Sequence, residues 1–141
     1  MSRADGATIL LVEDNPDHAE FAMKALRKGD IPTDVVWAKD GQEALDMLRG
    51  DRGPARPDLI LLDIHLPKLN GHEVLRRVKE DDALRTIPVV MMSTSDRVED
   101  VATSYNARAN SYVTKPVGFK QLVDQVQSVK DYWLRTNRLP V

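Results

Sequence analysis

The sequence predicts an α/β fold in which five βα units build one parallel sheet. Short apolar runs of four to six residues alternate with stretches of helical periodicity, a pattern typical of such units. Strands are predicted at 8–12, 34–38, 58–62, 87–92 and 111–114. Helices are predicted at 16–28, 41–50, 71–83, 96–106 and 118–135. Because parallel strands need right-handed crossovers, the sheet is expected to be doubly wound, with helices on both faces.

Local chemistry explains where several of these elements begin and end. Asn15 is suited to cap the first helix, Pro16 to its first position, where a missing N–H costs nothing, and Gly29 to its end. Gly41 opens the second helix, and residues 51–57 form a polar connection to the third strand. The last helix has an apolar stripe suited to packing on the sheet, made of Phe119, Leu122, Val123, Val126 and Val129.

Length and composition indicate one domain over 1–141, with a core at 7–131 and a C-terminal extension at 132–141. The absence of cysteine excludes disulfides and thiolate metal sites, and it fits a reducing compartment. No apolar run approaches the roughly 20 residues that span a bilayer, so we expect a soluble, cytoplasmic protein without membrane contact. A net charge of -2 provides no surplus of cations for binding nucleic acid.

Polar side chains follow four of the predicted strands. Asp63 follows the third strand, and Glu13 and Asp14 follow the first, while Ser93 and Lys115 follow the fourth and fifth. In the flavodoxin-like strand order 2-1-3-4-5, the first and third strands flank the switch point at which open α/β sheets bind ligands. Three carboxylates, a hydroxyl and a lysine are therefore expected at one edge of the sheet.

The carboxylates of Glu13, Asp14 and Asp63 predict a divalent metal site. At an effective dielectric of about 20, each close pair of carboxylates costs roughly 4 kcal/mol, which a cation would relieve. An all-oxygen site with few protein ligands suits Mg²⁺, with Mn²⁺ as an alternative, whereas Ca²⁺ needs more ligands.

With a metal in place, Asp63 is a candidate nucleophile toward phosphorus, because aspartate carboxylates form aspartyl phosphates. Phosphoryl transfer mainly needs positioning and cations around the three equatorial oxygens. The metal, Lys115 and the Ser93 hydroxyl are each suited to contact one of these oxygens. We hypothesise that the peptide bond between Lys115 and Pro116 is cis, which would aim the lysine across the strand ends.

These residues resemble the receiver domain of two-component response regulators over almost the whole chain. The resemblance rests on the segments 11–15, 62–67 and 112–116, together with Gly71 and Ser93, which occur in family order and spacing. It implies that Asp63 accepts phosphate from a histidine kinase and that the backbone carbonyl of His65 completes the metal site. It also implies that Ser93 and Tyr112 form the switch pair.

Within the family, the chain most resembles the stand-alone regulators associated with bacterial phytochromes. That resemblance rests on the loop before Pro57, on 109–117 and on the tail Tyr132-Trp133-Leu134. It implies a phytochrome-type sensor kinase as partner and homodimerisation, with the tail residues as interface candidates. The tail is equally suited to covering the end of the core. Arg108 stands where many receivers carry glycine, so a left-handed backbone there would be strained.

The sequence as a whole predicts a switch without an attached effector domain and without turnover of a separate substrate. Phosphorylation of Asp63 adds charge and acceptor oxygens, Ser93 moves inward, and Tyr112 fills the vacated space. This change is expected to act on the face made by helix 4, strand 5 and helix 5. His65 and Ser95, each two residues beyond a site residue, are expected to tune the lifetime of the phosphate.

Three other functions use similar residues. An aspartate-nucleophile phosphatase usually has a second acid two residues after the nucleophile, where this chain has His65. A pseudo-receiver scaffold is never phosphorylated and has no need of mutually repelling acids. A flavodoxin-like cofactor binder would carry a Ser/Thr/Gly-rich phosphate loop after strand one, in place of Glu13 and Asp14. A metal site made by His18, His65 and His72 is disfavoured by their predicted helix and loop positions.

Overall fold

The computed structural model describes residues 6–50 and 56–140, so most of the polar connection predicted at 51–57 lies outside the described residues. The strands are β1 (Ala7–Val12), β2 (Thr33–Ala38), β3 (Leu59–Leu62), β4 (Val89–Ser93) and β5 (Ser111–Thr114). The helices are α1 (Pro16–Arg27), α2 (Gly41–Arg49), α3 (Gly71–Glu80), α4 (Val98–Asn106) and α5 (Phe119–Asp131). A π-helical turn, Tyr132–Thr136, continues α5.

The five strands form one parallel sheet in the order β2-β1-β3-β4-β5, which confirms the predicted topology. In the register of the two central strands, Val12 of β1 lies beside Leu62 of β3. The residues that follow these strands, Glu13 and Asp63, therefore emerge side by side from the sheet. Asn15 caps α1 as predicted, since its side chain accepts from the N–H groups of Asp17 and His18.

The core lies on both faces of the sheet because alternate strand residues point in opposite directions. One face of β1 and β3 packs with α2 and α3, through residues such as Leu10, Leu45, Ile60 and Leu75. The other packs with α1 and α5, through residues such as Ile9, Leu26, Leu61 and Val126. None of the helices in the described part of the chain is long and apolar enough to cross a membrane.

The C-terminal extension folds back onto the domain. Leu134 is only 3% exposed and belongs to the core on the α1 side. Arg135 forms an ion pair with Asp30 at 3.0 Å, which fixes the turn to the loop after α1. The prediction that Leu134 lies at an interface is therefore wrong for this conformation, because the side chain is already buried within its own domain. Tyr132 stays half exposed beside Trp133.

Within 6–50 and 56–140, two non-glycine residues have positive φ angles, Lys68 at 66° and Arg108 at 74°. Arg108 therefore has the left-handed backbone that the sequence left open. It directly follows the turn that ends α4, where Arg108 donates its N–H to the carbonyl of Tyr105 at 2.9 Å. That bond helps to hold a conformation that non-glycine residues rarely adopt.

A buried lysine joins the end of α3 to the amino ends of two strands. Lys79 is 8% exposed, and its Nζ donates to the carbonyls of Arg85 and Ile87 at 3.0 and 2.9 Å and to Asn110 Oδ1 at 3.0 Å. Asn110 Oδ1 also accepts from the N–H of Val89 at 2.8 Å. Burial lowers the pKa of Lys79 to about 8 from its ordinary 10.5.

This pKa predicts a pH-dependent stability. Between pH 8 and 10.5 the unfolded chain holds the Lys79 proton more tightly than the folded chain, so raising the pH favours folding. We expect the free energy of unfolding of the wild type to rise across this window by up to about 3 kcal/mol relative to Lys79→Met. Urea unfolding at a series of pH values measures the difference. Parallel curves for the two proteins would contradict the prediction.

Candidate functional site

Three carboxylates meet at the carboxyl end of the sheet. One oxygen each of Glu13, Asp14 and Asp63 lies within 4.8 Å of the others. The register of β1 and β3 causes this arrangement, since the N–H of Asp63 donates to the carbonyl of Val12 at 3.1 Å. The structure thus brings together the acids that the sequence predicts as metal ligands.

Glu13 is the most buried of the three acids, at 3% exposed. Its Oε2 accepts from the N–H of Asn15 at 3.1 Å, and its Oε1 contacts Lys115 Nζ. Burial raises the pKa of the Glu13 carboxyl above its ordinary value, while the Lys115 ammonium opposes that shift. A buried carboxylate of this kind is stable as an anion only beside a cation.

Asp63 is held by its neighbours on both oxygens. Oδ1 accepts from the N–H of Ile64 at 2.7 Å, and Oδ2 lies 3.2 Å from Lys115 Nζ. Gly71 packs directly on this segment, because a Cβ there would lie 2.0 Å from the Asp63 carbonyl oxygen. The N–H of Gly71 also donates to the carbonyl of Ile64 at 2.7 Å. Only glycine allows this approach, which fixes the turn after β3.

Lys115 reaches both Glu13 and Asp63 from the end of β5, and its side chain is 13% exposed. Its backbone N–H donates to the carbonyl of Ser93 at 2.7 Å, so the residue leaves the sheet in a fixed direction. The predicted cis bond to Pro116 is wrong, since no peptide bond among the described residues is cis. The trans form is the favoured one even before proline, and it already brings the ammonium to both acids.

The site fits a hard divalent cation. Its donors are all carboxylate oxygens, which suit Mg²⁺ or Mn²⁺, and the mutual repulsion of the three acids favours a cation among them. No histidine of the described chain joins this or another group of potential ligands. His65 follows two residues after Asp63, and the role of its carbonyl as a ligand stays a prediction.

Ser93 and Tyr112 both connect to Ser95 in the loop after β4. Ser93 is fully buried, and its Oγ accepts from the N–H of Ser95 at 3.2 Å. The hydroxyl of Tyr112 donates to the Ser95 carbonyl at 2.7 Å. The two residues predicted as a switch pair therefore hold the same loop residue from its two sides.

Ser95 in turn bonds to α4, a connection that the sequence reasoning missed. Its hydroxyl donates to Asp100 Oδ2, and this bond lowers the pKa of the Asp100 carboxyl. Ser104 Oγ donates to the Asp100 carbonyl at 2.8 Å and lies 3.0 Å from His72 Nε2 of α3. Asp100 lies in the first turn of α4, where an acid is commonly read as a response to the helix dipole alone.

A cleft of about 390 Å³ opens beside Asp63 between α1 and α5. Its floor is apolar, and its rim carries Phe21 and Phe119, whose rings meet edge to face at 5.7 Å. Both rings are more than one-third exposed, and Val117 next to them is fully exposed. The cleft could not be predicted from sequence patterns, because its walls come from segments far apart in the chain.

Comparison with known proteins identifies the family. A model of the response regulator receiver domain matches residues 9–127. The "Probable methanogenesis regulatory protein FilR2" of Methanothrix harundinacea is 44% identical over 138 residues, which cover 96% of this chain and 89% of FilR2. Response regulator Rcp1 of Synechocystis sp. is 38% identical over 135 residues, or 94% of this chain and 92% of Rcp1.

Comparison with solved structures identifies the same family. The phosphorylated cyanobacterial phytochrome response regulator RcpA superimposes with a TM-score of 0.91 at 41% identity, covering 96% of this chain and 99% of RcpA. The Mn(2+)-bound form of Rcp1 gives a TM-score of 0.87 at 37% identity, with the same coverage. The chain therefore belongs to the response regulator receiver domain family, and the solved structures that it matches include phytochrome response regulators.

Proposed function

We propose that this protein is a phosphorylation-controlled switch in which Asp63 accepts a phosphoryl group from a histidine kinase. The observation that carries the proposal is the position of Asp63, with Lys115 on one oxygen and two further acids within 4.8 Å. Receiver domains as a family have histidine kinases as partners. The reaction leaves the phosphoryl group on the protein, so no separate substrate is turned over.

In the proposed reaction, a carboxylate oxygen of Asp63 attacks phosphorus while the bond from phosphorus to the histidine nitrogen of the kinase breaks. Glu13, Asp14 and Asp63 would hold Mg²⁺, with the His65 carbonyl as a further ligand. The metal ion, when bound, neutralises charge on the transferring oxygens. Lys115 already lies at Asp63 and provides a second cation, and the Ser93 hydroxyl provides a donor to a third oxygen.

A phytochrome-type kinase is the proposed phosphate donor. The similarity to RcpA, which is a phytochrome response regulator, supports this assignment. The exposed rings of Phe21 and Phe119 border the cleft that leads to Asp63. They give an approaching kinase an apolar surface beside the acceptor.

The proposed switch runs from Ser93 to α4 through the loop after β4. If Ser93 turns toward a phosphoryl group, its Oγ leaves the N–H of Ser95, and the bonds of Ser95 to Tyr112 and Asp100 change with it. Tyr112 would then fill the space that Ser93 vacates. The change reaches a face made by α4, β5 and α5, where the large apolar side chains of Val98 and Tyr105 are exposed.

Homodimerisation is proposed through that same face and the adjoining end of α5. Tyr132 is half exposed next to Trp133, with the two rings 5.1 Å apart in an edge-to-face contact. Aromatic side chains of this kind are common anchors of protein interfaces.

The first test is phosphorylation by acetyl phosphate in the presence of Mg²⁺. We expect the wild type to gain one phosphoryl group, seen as a shift in phosphate-affinity gels and in tryptophan fluorescence. Asp63→Asn should abolish the shift, because the amide is not a nucleophile toward phosphorus. Omission of Mg²⁺ should abolish it as well. An unmodified wild type, folded and with intact acetyl phosphate, would instead favour the pseudo-receiver scaffold.

The switch is tested with Ser93→Ala. We expect this variant to accept phosphate about as fully as the wild type, since Lys115 and the three acids are untouched. Phosphorylation should no longer shift the amide NMR signals of Val98 and Tyr105, because the bond from Ser95 to the moving hydroxyl is gone. Ser128→Ala, which removes an exposed α5 hydroxyl, serves as the control. Normal shifts in Ser93→Ala would contradict this route.

The dimer is tested with Tyr132→Ala in sedimentation equilibrium. We expect the dimer dissociation constant to rise about tenfold or more, as for an interface anchor. Phe21→Ala is a matched control, because Phe21 is similarly exposed but lies on α1. Deleting 132–141 is a poorer test, since it also removes the core residue Leu134. Equal dissociation constants for wild type and Tyr132→Ala would exclude this interface.

A further inference from the structure

Trp37 forms a hydrogen bond with the backbone of Glu13, next to Asp14, and binding of a metal at the site does not explain this bond. Its indole Nε1 donates to the backbone carbonyl of Glu13 at 2.7 Å, a short hydrogen bond between residues 24 positions apart. The ring packs against the core on the α1 side and is partly buried. The strand that carries it, β2, contributes none of the acids.

Together, β2 and the start of α1 fix the backbone on both sides of Asp14. The N–H of Glu13 donates to the carbonyl of Ala38 at 3.1 Å, so β2 holds both backbone polar groups of Glu13. On the other side, the N–H of Asn15 is bound to Glu13 Oε2, and the Asn15 side chain caps α1. Asp14 itself is exposed, so its carboxylate is placed by these neighbours rather than by packing.

The peptide group between Glu13 and Asp14 is planar, so anchoring its carbonyl also sets the direction in which the Asp14 main chain leaves. Glu13 is only 3% exposed, so its carbonyl is poorly placed to bond water in place of the indole N–H when Trp37 is replaced. A buried carbonyl in that state rotates toward another donor or toward water. Rotation of this peptide group would displace the Asp14 carboxylate from Asp63.

We infer that Trp37 is a positioning residue for the divalent metal site, acting through the Glu13 carbonyl on the placement of Asp14. The inference rests on the proposed metal site of Glu13, Asp14 and Asp63. It predicts that the indole N–H, and not the aromatic bulk of the side chain, sets the affinity for the cation.

The test compares the Mn²⁺ affinity of the full chain with Trp37→Phe and Trp133→Phe, measured by electron paramagnetic resonance of free Mn²⁺. The two variants make the same chemical change at the two tryptophans of the chain, and Trp133 packs beside Tyr132 at the far end of α5. We expect Trp37→Phe to bind Mn²⁺ about five- to tenfold more weakly, the effect of losing one ordinary hydrogen bond. Trp133→Phe should stay within about twofold of the wild type.

A second measurement separates the N–H from the ring. In the Trp133→Phe background, benzothienylalanine incorporated at position 37 keeps the ring shape but replaces the N–H by sulfur. We expect this protein to show the same loss of Mn²⁺ affinity as Trp37→Phe, with unfolding by urea close to that of its parent. The fluorescence of Trp37 in the same background should be quenched by Mn²⁺, whereas that of Trp133 in Trp37→Phe should not.

The outcomes distinguish the inference from the function on which it rests. A wild type that binds no Mn²⁺ would overturn the proposed metal site itself. If the wild type binds Mn²⁺, and Trp37→Phe and the benzothienylalanine protein bind it as tightly as their parents do, only the role of Trp37 would be overturned. Equal losses in Trp37→Phe and Trp133→Phe would also overturn that role, because they would indicate a general effect on the fold.

Discussion

The site depends on one cation, the Lys115 ammonium, which lies between two carboxylates. Acids within 4.8 Å of one another repel by several kcal/mol for each close pair, and the contacts of Lys115 to Glu13 and Asp63 offset part of that repulsion. The lysine reaches them because β5 ends at the same edge of the sheet, two strands from β3. The strand order is therefore a condition of the charge balance as well as of the packing.

Most of the fold follows from local patterns in the sequence. The strands are short buried runs, so apolar periodicity could predict their positions, whereas their order was taken from the flavodoxin-like arrangement of doubly wound sheets. The helix boundaries were less predictable. α3 ends at Glu80 instead of 83, because Asp81 leaves the helical conformation, and α4 begins at Val98 instead of 96, after the Ser95 hydroxyl has bonded the N–H of Arg97.

The acids and Lys115 of the site could also be predicted, since each follows directly after a strand. Three other features could not be predicted, because they depend on contacts between residues distant in sequence or on how the chain turns. Trp37 reaches the Glu13 carbonyl from the neighbouring strand β2, and Ser95 bonds to Asp100 only because the loop after β4 folds onto α4. For Leu134 the sequence left an interface and the end of the core equally open, and the turn after α5 places the side chain in the core.

The two sides of the site are built differently. On the β1 side, Glu13 is held through its N–H, its carbonyl and its carboxylate, two of these by β2, and none of those bonds involves a hydroxyl. On the β4 side, the side chains of Ser93, Ser95 and Tyr112 form their bonds through hydroxyl groups, which rotate and exchange partners at little cost. A rigid side suits the placing of a cation, and an exchangeable side suits the reporting of a new charge. This asymmetry is what the proposed switch requires, because one side of the site would hold the cation while the other side changes its bonds.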